Sequence, residues 1–347
     1  KLSDVIKSDS GETINLRLTS SGHWREPADL NRIDPLLIKM LVAYEDKRFW
    51  HHHGVDPYAI IRAFFSVAKS GKVYSGASTL TMQTVKLMYP NLRSRTISNK
   101  LKQVLFALQL DAHWTKKEIL EAYFTLAPFG GNIEGIEAAT QAWFQKTPNE
   151  LTHTEAALLV ALPQSPERRR PDLFPTVAFH AKTKVLETIS TRINLDLKKL
   201  EELRKEPLSV RLSKPKSIAL HLEDRLFQNP NAVIKTSINA SWQRDLISIL
   251  STSMQKYKKP INIAGLVVER KTGLVKAYAG SSSYLDKDRK GSVNYLTALR
   301  SPGSTLKPLI YAKALERKII EEGHVFKDSQ IQRGGYTPSN FDNMFNG

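Results

Sequence analysis

Four helix-start signals punctuate the first half of this 347-residue chain and leave little freedom in how it folds. Asp34-Pro35 and Asp56-Pro57 each set a capping carboxylate before a proline, whose fixed φ and missing N–H suit the first helical position. Thr115 with Glu118, and Thr152 with Glu155, have the spacing of a capping box. These signals predict helices over Leu36–Tyr44, over Tyr58–Ser70 with closure at Gly71, from Thr115 to about Ala127, and from Thr152 to near Pro163. Within Thr96–His113, the residues Ile97, Leu101, Val104, Leu105 and Leu108 recur with a helical period. No strand is expected between residues 35 and 163. Residues 1–34 read as a lead-in and 35–170 as one mostly α domain.

The pattern changes after Pro163. Arg168-Arg169-Arg170-Pro171, with Pro166 and Pro175 nearby, reads as an exit from that domain. Residues 171–260 read as a connecting region. It holds a charged amphipathic helix over 178–206, a mixed stretch at 207–238 with the β-like run Ala232-Val233-Ile234, and a helix over Ser241–Tyr257. From 261 to 347 the chain reads as α+β: Ile263–Glu269 and Leu274–Ala279 flank Lys271-Thr272-Gly273 as a hairpin, and Ser304–Arg317 is helical. The expected class is an α+β multidomain protein.

Charge narrows the partners. With 51 Lys+Arg against 34 Asp+Glu the formal net charge is +17, which favours anionic ligands. Between Asp56 and Asp111 there is no acidic residue, while Arg62, Lys69, Lys72, Lys86, Arg93, Arg95, Lys100 and Lys102 are all basic. Such a window reads as a surface for a strongly anionic ligand or as a solvated helical face. No zinc-finger, RRM or KH signature accompanies it, so no nucleic-acid partner is expected. The absence of cysteine removes disulfides, thiol catalysis and Cys-ligated metals. The longest run without Asp, Glu, Lys or Arg is Val73–Val85, short of the roughly 20 apolar residues of a membrane span.

Two stretches could carry chemistry on sugars and phosphates. In Glu45-Asp46-Lys47-Arg48-Phe49-Trp50-His51-His52-His53-Gly54, two carboxylates leave an apolar helix beside aromatic rings. Packing against aromatics favours the neutral acid, and neighbouring cations oppose that shift, so its sign stays open. A helix end anchored by Phe49-Trp50 is the plainer reading. Consecutive histidines point in different directions, which argues against one metal site, and no metal ligand is assigned. In Gly76-Ala77-Ser78-Thr79-Leu80-Thr81-Met82-Gln83, small and hydroxyl residues open a helix, a geometry that suits an anionic or sugar ligand. Gln83 and Lys86 share one face.

Glu45-Asp46-x-x-Phe49-x-x-His52-x-Gly54, followed by Gly76-x-Ser78-Thr79-Leu80-Thr81-x-Gln83, closely resembles the family 51 peptidoglycan glycosyltransferases of class A penicillin-binding proteins. Lys116-x-x-Ile119-Leu120-x-x-Tyr123 and Glu155-Ala156-Ala157-Leu158-Leu159 with Pro163 resemble its fourth and fifth motifs. The third departs: where the family shows Arg-Lys-x-x-Glu, this chain has Asn99-Lys100-Leu101-Lys102-Gln103. Thr125 replaces an asparagine and Met82 a glutamine. These departures, with Ala127-Pro128-Phe129-Gly130-Gly131, resemble the 1C branch.

The resemblance implies a lysozyme-like glycosyltransferase domain that polymerises lipid II into a growing glycan strand and releases undecaprenyl diphosphate. Glu45 is then the general base, and Gln103, at the second-glutamate position, only positions. Asp46, His52, Ser78, Thr79, Gln83, Lys86 and Lys100 bind substrate. No cofactor is required; a divalent cation (Mg or Mn) is compatible, although the sequence has no dedicated metal cage. The implied location is the periplasmic face of the bacterial inner membrane, with a membrane-surface partner and an N-terminal anchor outside this chain. The departures also admit a degenerate module that binds lipid diphosphate or glycan without turnover, and a lysozyme-like hydrolase could use Glu45 as an acid. No protein partner is named.

Arg300-Ser301-Pro302-Gly303-Ser304-Thr305-Leu306-Lys307-Pro308 puts Ser304 and Lys307 on one helix side, the arrangement of a nucleophile and its base. The spacing alone is weak, since Ser66–Lys69, Ser213–Lys216 and Ser253–Lys256 share it. The flanking residues resemble the start of a class A transpeptidase domain, in which Ser304 is the nucleophile that β-lactams acylate and Lys307 its base. No Ser-x-Asn or Lys-Thr-Gly follows Ser304, so a truncated, inactive transpeptidase is expected here, with β-lactam binding confined to the intact protein.

Overall fold

The computed structural model describes residues 1–62, 78–94, 96–208, 210–213, 217–227, 233–258, 260–332, 334–335, 337–339 and 344–345. They form two units, 1–296 and 297–347.

In the first unit the capping signals set the helices. Helix α1 (Pro35–Glu45) starts at Asp34, whose carboxylate accepts from the Leu36 amide, with Pro35 at its first position. It is followed by α2 (Leu80–Met88), α3 (Ile97–His113), α4 (Lys116–Leu126), α5 (Ile136–Phe144) and α6 (His153–Ala161). Both predicted capping boxes are formed, at Thr115/Glu118 and Thr152/Glu155. Residues 57–62 are helical as expected after Asp56; the remainder of the Tyr58–Ser70 helix lies outside the described residues, as do Gly76 and Ala77.

Helix α6 is apolar on every side, and it is buried from Ala156 to Ala161. α1 packs on it, and so does α7 (Pro175–Ile189). The core around it also takes Ile119, Leu120, Tyr123 and Phe124 from α4, and Trp143 from α5. α2 lies against α3 and α4, with Met82, Val85, Leu92 and Ala107 in a small core of their own.

Four expectations are corrected. The exit at Arg168–Pro171 is a turn within the domain, because α7 and α8 (Leu197–Lys205) supply Ala178, Val185, Leu186, Ile189 and Leu203 to the same core. The single helix over 178–206 is two. The chain reverses through Asn194 in the left-handed region, and Asp196 caps a fresh start by accepting from the Lys199 amide. The strand-free stretch 35–163 contains β4 (Ile133–Glu134), parallel to β3 (Trp24–Arg25) and fastened by the Arg25–Glu134 ion pair. Two residues are too few to show a strand period.

The fourth correction concerns the lead-in, which is structured. β1 (Asp4–Lys7) lies between β2 (Thr13–Arg17), antiparallel, and β5 (Val233–Lys235), parallel, pairing Val5 with Val233. Ile6 and Ile14 share a core with Ala219, Ile238, Ala240 and Tyr278. Buried Lys7 meets Glu26 at 2.5 Å and Glu137 of α5 at 4.0 Å, tying the sheet to the helical domain. Burial pushes the Glu137 carboxyl above the usual carboxylate range, with Lys7 opposing.

Helix α9 (Leu220–Leu226) and α10 (Ala240–Met254) complete this region; α10 packs on the hairpin of β6 (Gly265–Val268) and β7 (Val275–Ala279). Its turn at Lys271-Thr272-Gly273 uses Gly273 at φ +71, as a hairpin turn requires. In the second unit, a 3₁₀ turn over Gly303–Leu306 runs into α11 (Lys307–Glu316), so Ser304 and Lys307 sit one turn apart. Among the described residues no helix is long and apolar enough to cross a membrane.

Candidate active site

The two adjacent carboxylates diverge because α1 ends between them. Asp46 has left helical geometry, at φ −153 and ψ 79, and turns inward to 5% exposure. There it accepts from the Leu80 amide at 2.9 Å and lies 2.9 Å from His52 Nε2. A carboxylate at the first turn of α2 satisfies a free amide and complements the helix dipole. Thr79 caps the same helix, and its hydroxyl donates to the Gly54 carbonyl at 2.6 Å. Asp46, His52 and Thr79 therefore hold the two motifs together; the reading of them as substrate contacts finds them buried and engaged with protein. The neighbouring Lys116 reinforces this, reaching the His52 carbonyl at 2.6 Å and Asp111 at 2.5 Å.

Glu45 stays half-buried and faces outward. Gln83 Nε2 donates to Oε2 at 2.9 Å, and Gln164 Nε2 donates to Oε1 at 2.6 Å. Two neutral donors from separate elements thus fix the plane of the carboxylate. Tyr44 and Tyr123 flank it. Burial raises both phenols, well above the ordinary value for Tyr123, and the Glu45 charge adds to each, so they remain neutral hydroxyls.

One cavity is lined by Glu45 itself and a second by its neighbours Gln83 and Tyr123. The first, of about 150 Å³, sets Lys47, Arg48 and Arg62 beside Glu45, Asp46 and Asp56, with Ser78 and Thr79 in its wall. The second, of about 220 Å³, has Gln83, Lys86, Arg93, Tyr123 and Glu134 in its wall. Partial desolvation, then the Arg192, Arg62 and Arg48 charges, hold the Lys47 amine below its ordinary value. Lys100 is held down likewise by desolvation and by Lys86, and donates to Ser78 Oγ. The acids bounding the acid-free window are spent on partners: Asp56 on Arg48 at 2.7 Å, Asp111 on Lys116. Lys47 and Lys100, each held down in part by neighbouring cations, bring concentrated positive charge to the site, which suits an anion.

The departures from the family pattern each have a structural use. Gln103, 7% exposed, donates to the Leu92 carbonyl at 2.7 Å, and Asn99 reaches the Asn91 carbonyl at 3.2 Å and Ser94 Oγ at 2.5 Å. Both brace the turn that carries Arg93. Thr125 Oγ1 accepts from the Ala28 amide at 2.9 Å, and Met82 fills the small core. Restoring the family residue should therefore fail. Gln103→Glu sets a carboxylate against a carbonyl oxygen in a buried place, and we expect a loss of about 1–3 kcal/mol with no gain in turnover. A denaturant melt checks this, and a more active, equally stable variant contradicts it.

Three contributors escaped the sequence reading. Arg93 lay in the acid-free window without a specific role. Gln164 follows Pro163 directly, and Arg169 belongs to the run read as an exit; their spacing from Glu45 left no local signal. The triple histidine diverges, with His52 buried on Asp46, and among the described residues no three His, Asp or Glu side chains converge on a cation site. Asp46 is engaged by His52 and the Leu80 amide, and Glu45 faces two amide donors.

The comparisons with known proteins agree with this geometry. The family described as Transglycosylase matches residues 11–190, and that described as Penicillin binding protein transpeptidase domain matches 263–346. Penicillin-binding protein 1C of Escherichia coli (strain K12) is 35% identical over 344 residues, covering 99% of this chain and 44% of that protein. Penicillin-binding protein 1F of Bacillus subtilis (strain 168) is 28% identical over 365 residues, covering 99% of this chain and 50% of that protein. The chain spans about half the length of the relatives it matches. With the transglycosylase match spanning more than half of the sequence and transpeptidase residues following it, the chain belongs to the transglycosylase family, in the domain order of the class A penicillin-binding proteins.

Proposed function

We propose that this chain joins lipid II units into glycan strands, with Glu45 as general base. Glu45 takes the proton of the attacking 4-hydroxyl, the oxygen bonds to the anomeric carbon of the second lipid-linked sugar, and the bond to the diphosphate breaks. Negative charge develops on the leaving diphosphate, where Lys86, Lys100 and Arg93 stabilise it. One observation carries the reading: a carboxylate fixed by two amides lines a cavity with Lys47, Arg48 and Arg62, and its partner Gln83 lines another with Lys86 and Arg93.

Lys86→Ala and Lys100→Ala should each lower kcat about 10²-fold in a polymerisation assay with lipid II. Wild-type turnover in either variant removes that lysine from the site. A module that binds without turnover is the second reading, motivated by Asn99, Gln103 and Thr125; glycan formation by the wild-type chain rejects it. Lipid II places the site at the extracytoplasmic face of a bacterial membrane, and acylation of Ser304 by β-lactams belongs to the whole protein.

A further inference from the structure

We infer that Gln164, oriented by Arg169, is a positioning residue for Glu45; the inference rests on Glu45 being the base. Gln164 closes the 3₁₀ turn Leu162–Gln164 that follows the buried helix α6, so its backbone is fixed by the core. A glutamine amide can face either way, and its partners decide which. Arg169 Nη1 donates to the Ala161 carbonyl at 2.6 Å and to Gln164 Oε1 at 3.0 Å. Arginine offers only donors, so the amide oxygen must face it, and Nε2 is left to meet Glu45 Oε1 at 2.6 Å. A flipped amide would oppose N–H to N–H on one side and oxygen to carboxylate on the other.

Gln83 holds the other oxygen from α2, but among the described residues no arginine fixes its amide as Arg169 fixes that of Gln164. Around the carboxylate stand Tyr44 and Tyr123, both neutral, the cavity cations Lys47, Arg48 and Arg62 with the acids Asp46 and Asp56, and Arg169, which donates to Gln164 Oε1. Gln164 thus aims one oxygen of the base and supports its charge.

The test is steady-state polymerisation of lipid II by the full chain over a range of pH. Gln164→Leu keeps the volume and loses the donor; kcat should fall about 10–10²-fold, with KM little changed. The acidic limb of its pH–rate profile should move upward, because a donor to the carboxylate is gone. Arg169→Ala should reproduce much of this, Arg169→Lys should restore part of it, and the double variant should be no worse than Gln164→Leu. Wild-type kcat and pH profile in Gln164→Leu, beside an inactive Glu45→Gln, overturn the inference and leave the base in place. Wild-type turnover by Glu45→Gln removes the base and the inference with it. Lost activity that tracks a lowered melting temperature, with the acidic limb unmoved, makes Gln164 merely structural and also overturns it.

Discussion

Glu45→Gln should lower glycan polymerisation about 10²–10⁴-fold, the usual contribution of a positioned general base. The substitution keeps size and removes proton acceptance. Its amide oxygen can still accept from Gln164, whose orientation Arg169 fixes, while Gln83 can turn its own oxygen toward the new NH₂. The site should then remain hydrogen-bonded, so the melting temperature and the binding of lipid II should stay close to wild type. Measuring turnover, binding and melting on one preparation separates lost chemistry from lost folding. Turnover within a few-fold of wild type would falsify the assignment of Glu45.

Gly54→Ala should damage folding instead. Gly54 sits at φ +75, where a side chain costs about 1–2 kcal/mol. A Cβ there would stand 2.3 Å from the Ala107 carbonyl oxygen and 2.9 Å from the Leu108 amide. Those atoms are backbone in α3 and cannot rotate aside, so the helix or the turn must move, at about 1–3 kcal/mol more. The turn also carries the carbonyl that Thr79 grips, and displacement loosens the start of α2, on which Gln83 and Lys86 ride. The melting temperature should drop on the order of 10 °C, with activity falling alongside. Gly273→Ala is the control: φ is +71, but nothing lies within 4 Å of the added carbon, so only the smaller backbone cost applies. Equal melting of the two variants rejects the close approach as the cause.

Local signals were legible because their physics is local. Asp34-Pro35, the two capping boxes and the Lys271–Gly273 turn each satisfy or shape backbone within a few residues, and all are formed. The pairing of Val5 with Val233 was not legible, because strand partners so far apart in sequence are chosen by a shared core. The run Arg168–Arg170 misled for a related reason. Its charge and neighbouring prolines look like a linker, yet Arg169 is spent on backbone and on Gln164.

The sequence by itself determined the helical elements, the acid-free basic window, Glu45 as the candidate base, and the family. What the +17 charge meant in space was decided by the fold, which gathered Lys47, Arg48 and Arg62 in a cavity with Glu45, and Lys86 and Arg93 in one with its partner Gln83. The fold also turned Asp46 and His52 inward as a clamp on α2, and brought Gln164 across 119 positions to Glu45. The reason is geometric. Helix signals arise from neighbours along the chain, whereas the orientation of a carboxylate depends on donors that only packing brings within hydrogen-bond distance.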